Sequence, residues 1–179
     1  MLYEVCFNAR GGQGAVIAAR LLVHAACLSG LWGQAFPLFG GERRGAPVFS
    51  YARISDKPIR LRSQIREPNA LLVFDRSLME GSIKVKENGV VLVNSPSRPQ
   101  VGHAKVYWLD ATSIAKKHNL VIAGWPAVNS AMLGAFAKVT GIVAINDLVK
   151  AIKSVWTGTL GDLNARAAEE AYRGVLNNA

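Results

Sequence analysis

The sequence has very little cysteine. Only Cys6 and Cys27 occur among its 179 residues. Two isolated thiols are too few and too far apart to build a disulfide framework, a zinc site or an iron–sulfur cluster. We therefore expect both to be reduced core thiols in a cytoplasmic protein.

Long apolar runs and a secretion signal are also missing. The most apolar stretch, from Ala15 to Leu31, is interrupted by Arg20 and His24. No uncharged run reaches the roughly 18 residues that a membrane-spanning helix needs. The residues from Met1 to Phe7 lack the basic start, apolar middle and small-residue cleavage site of a signal peptide, and they predict a first strand instead.

Catalytic and metal-binding patterns are absent from the sequence as well. His24, His103 and His118 are scattered, and none has the spacing to Asp, Glu or Cys that metal or triad chemistry needs. If the protein takes part in catalysis, we expect the chemistry to belong to a partner or a cofactor.

The residues that are present predict one α/β domain over residues 1–179. Half of them are hydrophobic, which is enough for one substantial core and too few for two comfortable domains. Strands alternate with helices, which predicts a three-layer sandwich with a mixed, mostly parallel sheet and a β-hairpin extension. Predicted strands are Leu2–Asn8, Pro47–Ile54, Ala70–Phe74, Gly89–Val93 and Lys105–Leu109. Predicted helices are Gly14–Ser29, the segment after Asp75 to about Glu87, the segment from Asp110 through His118, Ala127–Thr140, Ile145–Val155 and Leu160–Leu176.

The β-hairpin extension is predicted from an alternating segment that follows the second strand. Ile59–Ile65 alternates apolar residues with arginines and would pair with Pro47–Ile54, which gives the hairpin one basic face. The preceding segment, Gln34–Ala46, is rich in glycine and predicts an exposed loop.

A glycine turn follows the first predicted strand, with the sequence Ala9-Arg10-Gly11-Gly12-Gln13-Gly14. It stands where a dinucleotide fingerprint would stand, between a strand and a helix. A nicotinamide site also requires an acidic residue about 20 positions further on, and no Asp or Glu occurs between Glu4 and Glu42, so that interpretation is rejected. Two interpretations stay open: the helix amides and Arg10 bind an anion, or the glycines only allow tight packing.

A second glycine-rich motif carries two arginines, in Phe39-Gly40-Gly41-Glu42-Arg43-Arg44-Gly45-Ala46-Pro47. Guanidinium groups in such a loop can contact a phosphate or a partner's carboxylate bidentately. The alternative is a solvated charge cluster in which Glu42 pairs with Arg43 or Arg44.

These two motifs, in this order, resemble the gamma component of pyruvate:ferredoxin oxidoreductase and its 2-oxoacid relatives. The resemblance extends through Arg53–Ile59, Leu72–Asp75, Val91–Ser95 and Asn129–Ala135, and it is loose only over the last 40 or so residues. It implies a subunit that is inactive alone and joins alpha, beta and delta subunits in converting a 2-oxoacid and coenzyme A to an acyl-CoA, with ferredoxin as electron acceptor. It also implies that thiamine diphosphate, magnesium and iron–sulfur clusters belong to the other subunits.

In that family the gamma component is associated with the coenzyme A end of the reaction. The resemblance therefore implies that the glycine turn contacts an anion or a partner subunit, and that the arginine loop contacts a phosphate or a partner. The candidate binding residues are Arg10, Gly11, Gly12, Gln13, Gly14, Arg43 and Arg44. The 2-oxoacid itself stays open, because its pocket is expected on other subunits.

Two further alternatives remain. An indolepyruvate-type oxidoreductase subunit has a similar glycine turn and a less similar arginine loop. A stand-alone nucleotide or nucleic-acid binding module would suit the net charge of +9, from 21 basic and 12 acidic residues, and the basic Arg60, Arg62 and Arg66. Our interpretation as an oxidoreductase subunit predicts no binding of nucleic acid or membrane.

Overall fold

The computed structural model describes residues 1–38, 45–79, 84–100 and 105–177. Within these ranges the chain forms strands, α-helices and one 3-10 turn. The strands are β1 (Leu2–Arg10), β2 (Trp32–Leu38), β3 (Pro47–Ser55), β4 (Ala70–Val73), β5 (Val90–Asn94), β6 (Lys105–Leu109), β7 (Val121–Ile122), β8 (Trp125–Pro126) and β9 (Leu176–Asn177). The helices are α1 (Ala15–Leu28), α2 (Ala111–Lys117), α3 (Asn129–Thr140), α4 (Ile145–Val155) and α5 (Gly158–Gly174), and the 3-10 turn is Arg76–Leu78.

One mixed sheet organises the fold, with the strand order β2-β3-β1-β4-β5-β6-β9. Strands β1, β4, β5 and β6 run parallel to one another. Strand β3 is antiparallel to both β1 and β2, and β9 is antiparallel to β6. The predicted α/β class with a mixed sheet is confirmed, while the short β7–β8 ribbon stands apart from this sheet.

The two faces of the sheet are covered differently. Successive strand residues point to opposite faces, so Phe7 and Cys6 enter different cores. The larger core joins Phe7 to buried residues of α1, α2, α3, α4 and α5. The smaller core joins Cys6 to Ile65 and Leu78, which come from irregular segments and the 3-10 turn. The sheet therefore lies between a helical layer and a second layer that contains little regular structure in the described residues.

Several predicted elements are observed with small changes of boundary. The bounds of β6 and α4 agree with the prediction, and α1 begins one residue after the predicted start. Asp110 caps α2 as expected, because its Oδ1 accepts a hydrogen bond from the Ser113 amide at 2.9 Å. None of the helices in the described ranges combines the length and the apolar character needed to cross a membrane.

The hairpin predicted between Pro47–Ile54 and Ile59–Ile65 is wrong in its second strand. Residues 56–69 form no strand, and the antiparallel partners of β3 are β1 and β2. The carbonyls of Leu61 and Ser63 accept hydrogen bonds from the Arg53 guanidinium at 3.4 and 2.6 Å. Hydrogen bonds from a buried side chain thus satisfy two carbonyls of this segment that a neighbouring strand would otherwise satisfy.

Other predictions also need correction. Gln34–Leu38, predicted as loop, belongs to β2. Pro37 has no N–H to donate, which is tolerated because β2 is the edge strand of the described sheet and pairs with β3 on one side. Of the helix predicted after Asp75 to about Glu87, the described residues show the turn Arg76–Leu78, while residues 84–87 are not helical. In addition, α5 ends at Gly174, and the following residues pair with β6 as β9. Of the two cysteines expected in the core, Cys6 is buried, but Cys27 is exposed.

A buried arginine connects the sheet to the irregular layer. The Arg53 side chain is 1% exposed, and its Nε donates to Glu4 Oε1 at 3.0 Å. Glu4 Oε2 accepts from Lys86 Nζ, also at 3.0 Å, and the Phe36 ring lies 5.2 Å from the guanidinium carbon. Burial alone would raise the pKa of Glu4, but the hydrogen bonds and charges of Lys86 and Arg53 hold it below its ordinary value.

We expect Arg53→Ala to lower the free energy of unfolding by about 3–5 kcal/mol, because it removes the buried one of the two cations that pair with the partly buried Glu4 and leaves two carbonyls without this donor. Lys86→Ala is the matched control, since Lys86 pairs with the same carboxylate but is 38% exposed, and it should cost about 1 kcal/mol or less. Urea denaturation of both variants measures the difference. If the two variants lost the same free energy of unfolding, Arg53 would contribute no more to stability than the exposed Lys86.

Candidate functional site

The sheet brings the two predicted motifs to the same edge. Strand β1 ends at Arg10, and β3 begins opposite it at Pro47. Strand β2 ends beside β3, with Leu38 opposite Phe49. The connection between β2 and β3 therefore leaves the sheet at the edge where the glycine turn begins.

Hydrogen bonds join the glycine turn to the end of the arginine loop. The Gly11 amide donates to the Ala46 carbonyl at 2.9 Å, and the Gly45 amide donates to the Gly11 carbonyl at 3.3 Å. Arg10 Nη1 donates to the Gly45 carbonyl at 2.9 Å. Arg43 and Arg44 lie outside the described residues, but the chain that follows them is fixed to the turn.

The glycines of the turn differ in their surroundings. Gly14 precedes α1 with a φ of 85°, and a Cβ at this position would lie 2.7 Å from Asn129 Nδ2. Gly12 also has a positive φ, 99°, but a Cβ there would meet nothing within 4 Å. Packing between α1 and α3 accounts for Gly14, whereas Gly12 leaves the backbone open to approach from solvent.

Gln13 stabilises the turn from inside. Its side chain is buried, its Oε1 accepts a hydrogen bond from the Arg10 amide at 2.8 Å, and its Nε2 lies 3.5 Å from the Phe74 carbonyl. Gln13 thus supports the shape of the turn, while its side chain faces away from solvent.

Arg10 makes three contacts within the chain. Besides the Gly45 carbonyl, its guanidinium donates to Asp75 Oδ2 at 3.0 Å and to Ser77 Oγ at 2.6 Å. From its position beside the helix amides, Arg10 is expected to add a contact to an anion. In the structure its nitrogens contact Gly45 at the end of the arginine loop and two residues that follow β4, and its side chain remains 29% exposed.

Asp75 is the acidic partner at this edge, and it is held ionised. Burial alone would raise its pKa, but hydrogen bonds from the Ser77 hydroxyl and amide, together with the Arg10 charge, lower the pKa below its ordinary value. The negative charge of Asp75 is therefore compensated within the chain.

A cleft of about 650 Å³ opens beside the turn. Its floor is formed by the glycine turn and the first residues of α1. Its walls are mainly apolar and come from α1, β3 and the β7–β8 ribbon, through Val16, Ile17, Val48, Ile122 and Trp125. Ile17 is 41% exposed and Ile122 is 66% exposed, so the rim presents apolar surface to solvent.

The ribbon at the rim was missed from the sequence. Ala123 and Gly124 connect β7 to β8 with φ values of 49° and 84°, as in a two-residue hairpin turn with both central residues left-handed. The Ala-Gly pair between Val-Ile and Trp-Pro is the available signal, but each strand is only two residues long, too short for alternation to be recognised.

The amino end of α1 gives the cleft its electrostatic character. The helix has 14 residues, no side-chain cap hydrogen bond and no acidic residue in its first turn. The amides of a helix start carry partial positive charge and favour a phosphate or carboxylate. No group of three or more His, Cys, Asp or Glu side chains suited to a metal ion occurs in the part of the chain that the structure describes.

Fold and cleft together define an open-sheet α/β domain whose glycine turn lies at the carboxyl edge of parallel strands, a common position for ligand sites. The chain belongs to the pyruvate ferredoxin/flavodoxin oxidoreductase family, whose model matches residues 4–174.

Relatives of nearly the same length agree with this family. The chain is 49% identical over 179 residues to the pyruvate synthase subunit PorC of Methanocaldococcus jannaschii, with 98% of each chain covered. It is 48% identical over 181 residues to the pyruvate/ketoisovalerate oxidoreductases common subunit gamma of Pyrococcus furiosus, with 96% of each covered. The crystal structure of the pyruvate oxidoreductase subunit PORC of Thermotoga maritima superposes with a TM-score of 0.87 at 30% identity, covering 99% of both chains. The resemblance stated from the motifs is therefore confirmed.

We expect Arg10→Met to loosen the connection between the turn and the arginine loop, because Gly45 loses its side-chain donor. Hydrogen exchange at the Gly11 and Gly45 amides should speed up by about tenfold, the equivalent of one net hydrogen bond. Arg20→Met, which changes an exposed arginine of α1, is the control and should leave both amides unchanged. Unaltered exchange in Arg10→Met would show that Arg10 does not brace the loop.

Proposed function

We propose that this chain acts as the gamma subunit of a 2-oxoacid:ferredoxin oxidoreductase of the pyruvate synthase type, and that it is inactive without its partners. The assembly would convert a 2-oxoacid and coenzyme A to an acyl-CoA, with electrons passed to ferredoxin. The observation that carries the proposal is nearly end-to-end similarity to gamma and PorC subunits at almost half identity. The family match over residues 4–174 also supports treating residues 1–179 as one domain.

Partner subunits would supply the redox and decarboxylation chemistry. Thiamine diphosphate, magnesium and iron–sulfur clusters are assigned to the proposed alpha, beta and delta chains. A cluster generally needs four thiolates, and this chain has two distant cysteines, of which Cys6 is buried and Cys27 exposed. The proposed location of the assembly is the cytoplasm.

The cleft is the proposed contribution of this chain to the reaction. Its glycine turn, Arg10 to Gly14, would present backbone amides to a phosphate of coenzyme A, and its apolar walls would contact less polar parts of the same molecule. Arg43 and Arg44 would add charge from the loop whose end is bound to the turn. Arg10 and Gln13 would act indirectly, since their hydrogen bonds fix the turn and the loop. The competing occupant is a carboxylate of a partner subunit.

The choice of 2-oxoacid is proposed to lie with the partners. One relative carries a name that specifies pyruvate, and another is named as a subunit common to pyruvate and ketoisovalerate enzymes. A shared gamma subunit is consistent with a chain that handles the part of the reaction common to several 2-oxoacids.

The proposal as a whole is tested by purifying the tagged chain with its natural partners. We expect thiamine-bearing and cluster-bearing chains to copurify, and the complex to reduce a low-potential dye only when a 2-oxoacid and coenzyme A are both present. If the chain instead binds nucleic acid with a steep salt dependence and copurifies with none of these subunits, the proposal is wrong.

The cleft is tested by Gly12→Asn, with Gly30→Asn as a matched control. Both glycines have positive φ and open space where a Cβ would be, but only Gly12 lines the cleft. Asn tolerates the left-handed conformation, so both variants should fold with similar stability. In the complex, Gly12→Asn should raise the KM for coenzyme A by about tenfold, about 1.4 kcal/mol of lost binding.

The control Gly30→Asn should leave that KM unchanged, and neither variant should alter the KM for the 2-oxoacid. Equal kinetics for the two variants would remove the glycine turn from coenzyme A binding. A loss of complex assembly in Gly12→Asn alone would favour a partner carboxylate as the occupant.

A further inference from the structure

The segment of residues 57–66, here called the basic strap, concentrates positive charge on the surface. It contains Lys57, Arg60, Arg62 and Arg66 and no acidic residue. All four side chains belong to exposed residues. Cations placed so close together repel one another unless carboxylates or phosphates lie nearby.

The basic strap is nevertheless held in one arrangement by the fold. The buried Arg53 guanidinium donates to the Leu61 and Ser63 carbonyls, and the Lys57 amide donates to Ser55 Oγ at 3.1 Å. Ile65 is 2% exposed and packs in the smaller core. The backbone is thus fixed at both ends and in the middle, which reduces the ordering entropy that a partner would have to overcome.

The three arginines of the basic strap make no ion pair or side-chain hydrogen bond with the rest of the described chain, whereas the charge of Lys57 acts on the neighbouring Asp56 carboxylate. Surface lysines elsewhere form ion pairs: Lys117 pairs with Glu170 at 2.9 Å, and Lys153 pairs with Asp162 at 2.8 Å. Among the unpaired arginines lies Leu61, which is 45% exposed. Arginine is enriched in protein interfaces, and an apolar side chain surrounded by polar groups matches the usual arrangement of an interface core and its rim.

The basic strap begins at the end of the strands opposite the cleft and then packs, through Ile65, on the face of the sheet that bears the smaller core. It begins after β3, whose last residue Ser55 pairs with Leu2 at the start of β1, and it leads back to β4 at Ala70. The glycine turn follows the other end of β1 at Arg10. Changes in the basic strap can therefore be made without touching the cleft.

We propose that the basic strap docks against an acidic surface of a partner subunit in the assembled oxidoreductase, an inference that rests on the proposed function. Arginine forks pair bidentately with carboxylates, and Leu61 would supply the apolar contact at the centre. A nucleic-acid strand is the other anionic macromolecule to consider. The strap has no aromatic side chain on which bases could stack, which favours the protein partner.

The test compares two charge-reversed forms of the tagged chain, each purified with its natural partners. Arg60→Glu/Arg62→Glu reverses the basic strap. Lys116→Glu/Arg173→Glu reverses two exposed cations that make no ion pair in the described chain. These cations lie on α2 and α5, helices that cover the other face of the sheet. Arg60→Lys/Arg62→Lys keeps the charge and checks tolerance to substitution, and circular dichroism melting checks that all forms fold.

We expect the strap reversal to weaken binding to the partner subunits by at least about tenfold at low salt, while the helix reversal and the lysine form assemble like the natural chain. Carbodiimide coupling of the lysine form in the complex should join the basic strap to an Asp- or Glu-containing peptide of a partner, and should not join Lys116. Increasing salt should weaken the natural assembly and leave the strap-reversed form less affected.

Full assembly of the strap-reversed form, with an unchanged salt response, would overturn the docking proposal while leaving the oxidoreductase function intact. Strap-dependent binding of a single-stranded oligonucleotide, together with normal assembly, would also overturn it in favour of nucleic acid. If the natural chain captures no thiamine-bearing or cluster-bearing subunit, the proposed function fails first and the docking proposal fails with it.

Discussion

The pairing of β1 with β3 is the constraint on which the candidate site depends. Because Arg10 lies opposite Pro47, the chain that leaves β1 and the chain that enters β3 emerge at one edge of the sheet. Backbone hydrogen bonds between Gly11 and residues 45 and 46 extend this pairing beyond the strands, and Arg10 adds a side-chain contact. The glycine turn and the end of the arginine loop, which are more than 30 residues apart in the sequence, are thereby hydrogen-bonded to each other.

The same pairing separates two surfaces of different chemistry. At the carboxyl end of β1, backbone amides and apolar side chains surround a cleft that suits a small anionic ligand with a less polar part. At the other end, Arg53 is buried with Glu4, and its remaining donors hold the basic strap in place. A buried charge is costly unless it is paired and hydrogen-bonded, and here the hydrogen-bond partners of Arg53 include two carbonyls of a surface segment that carries three unpaired arginines. Arg53 thus connects the ion pair with Glu4 to the backbone of the positively charged surface segment.

How much could be predicted from the sequence depended on the physical origin of each element. Helices with clear apolar periodicity, such as Ile145–Val155, and buried strands, such as Lys105–Leu109, were predicted with their observed bounds, because their patterns report burial directly. Gln34–Leu38 was missed because Pro37 weakens its strand pattern and because the glycines that follow it in the sequence favour a loop, although an edge strand tolerates proline. Ile59–Ile65 alternates like a strand, yet two of its carbonyls accept hydrogen bonds from Arg53, a tertiary contact that no local pattern contains.

The position of the candidate site was predicted more completely than the roles of its residues. The motifs led to the correct family and to one edge of the sheet, but the bracing contacts of Arg10 with Asp75 and Ser77 depend on the end of β4, more than 60 residues away. The ribbon at the cleft rim was not predicted either, since strands of two residues have too little pattern. The roles of Arg43 and Arg44 remain predictions, because these residues lie outside the described ranges.

The most direct test of the central claim is amide hydrogen exchange of the assembled complex with and without coenzyme A. If the glycine turn and the start of α1 receive the anionic end of that molecule, the amides of Gly12 to Ile17 become protected when it is added, and pantetheine, which lacks the phosphates of its nucleotide end, gives much less protection there. Protection confined to other subunits, with the exchange of Gly12 to Ile17 unchanged, would contradict the account.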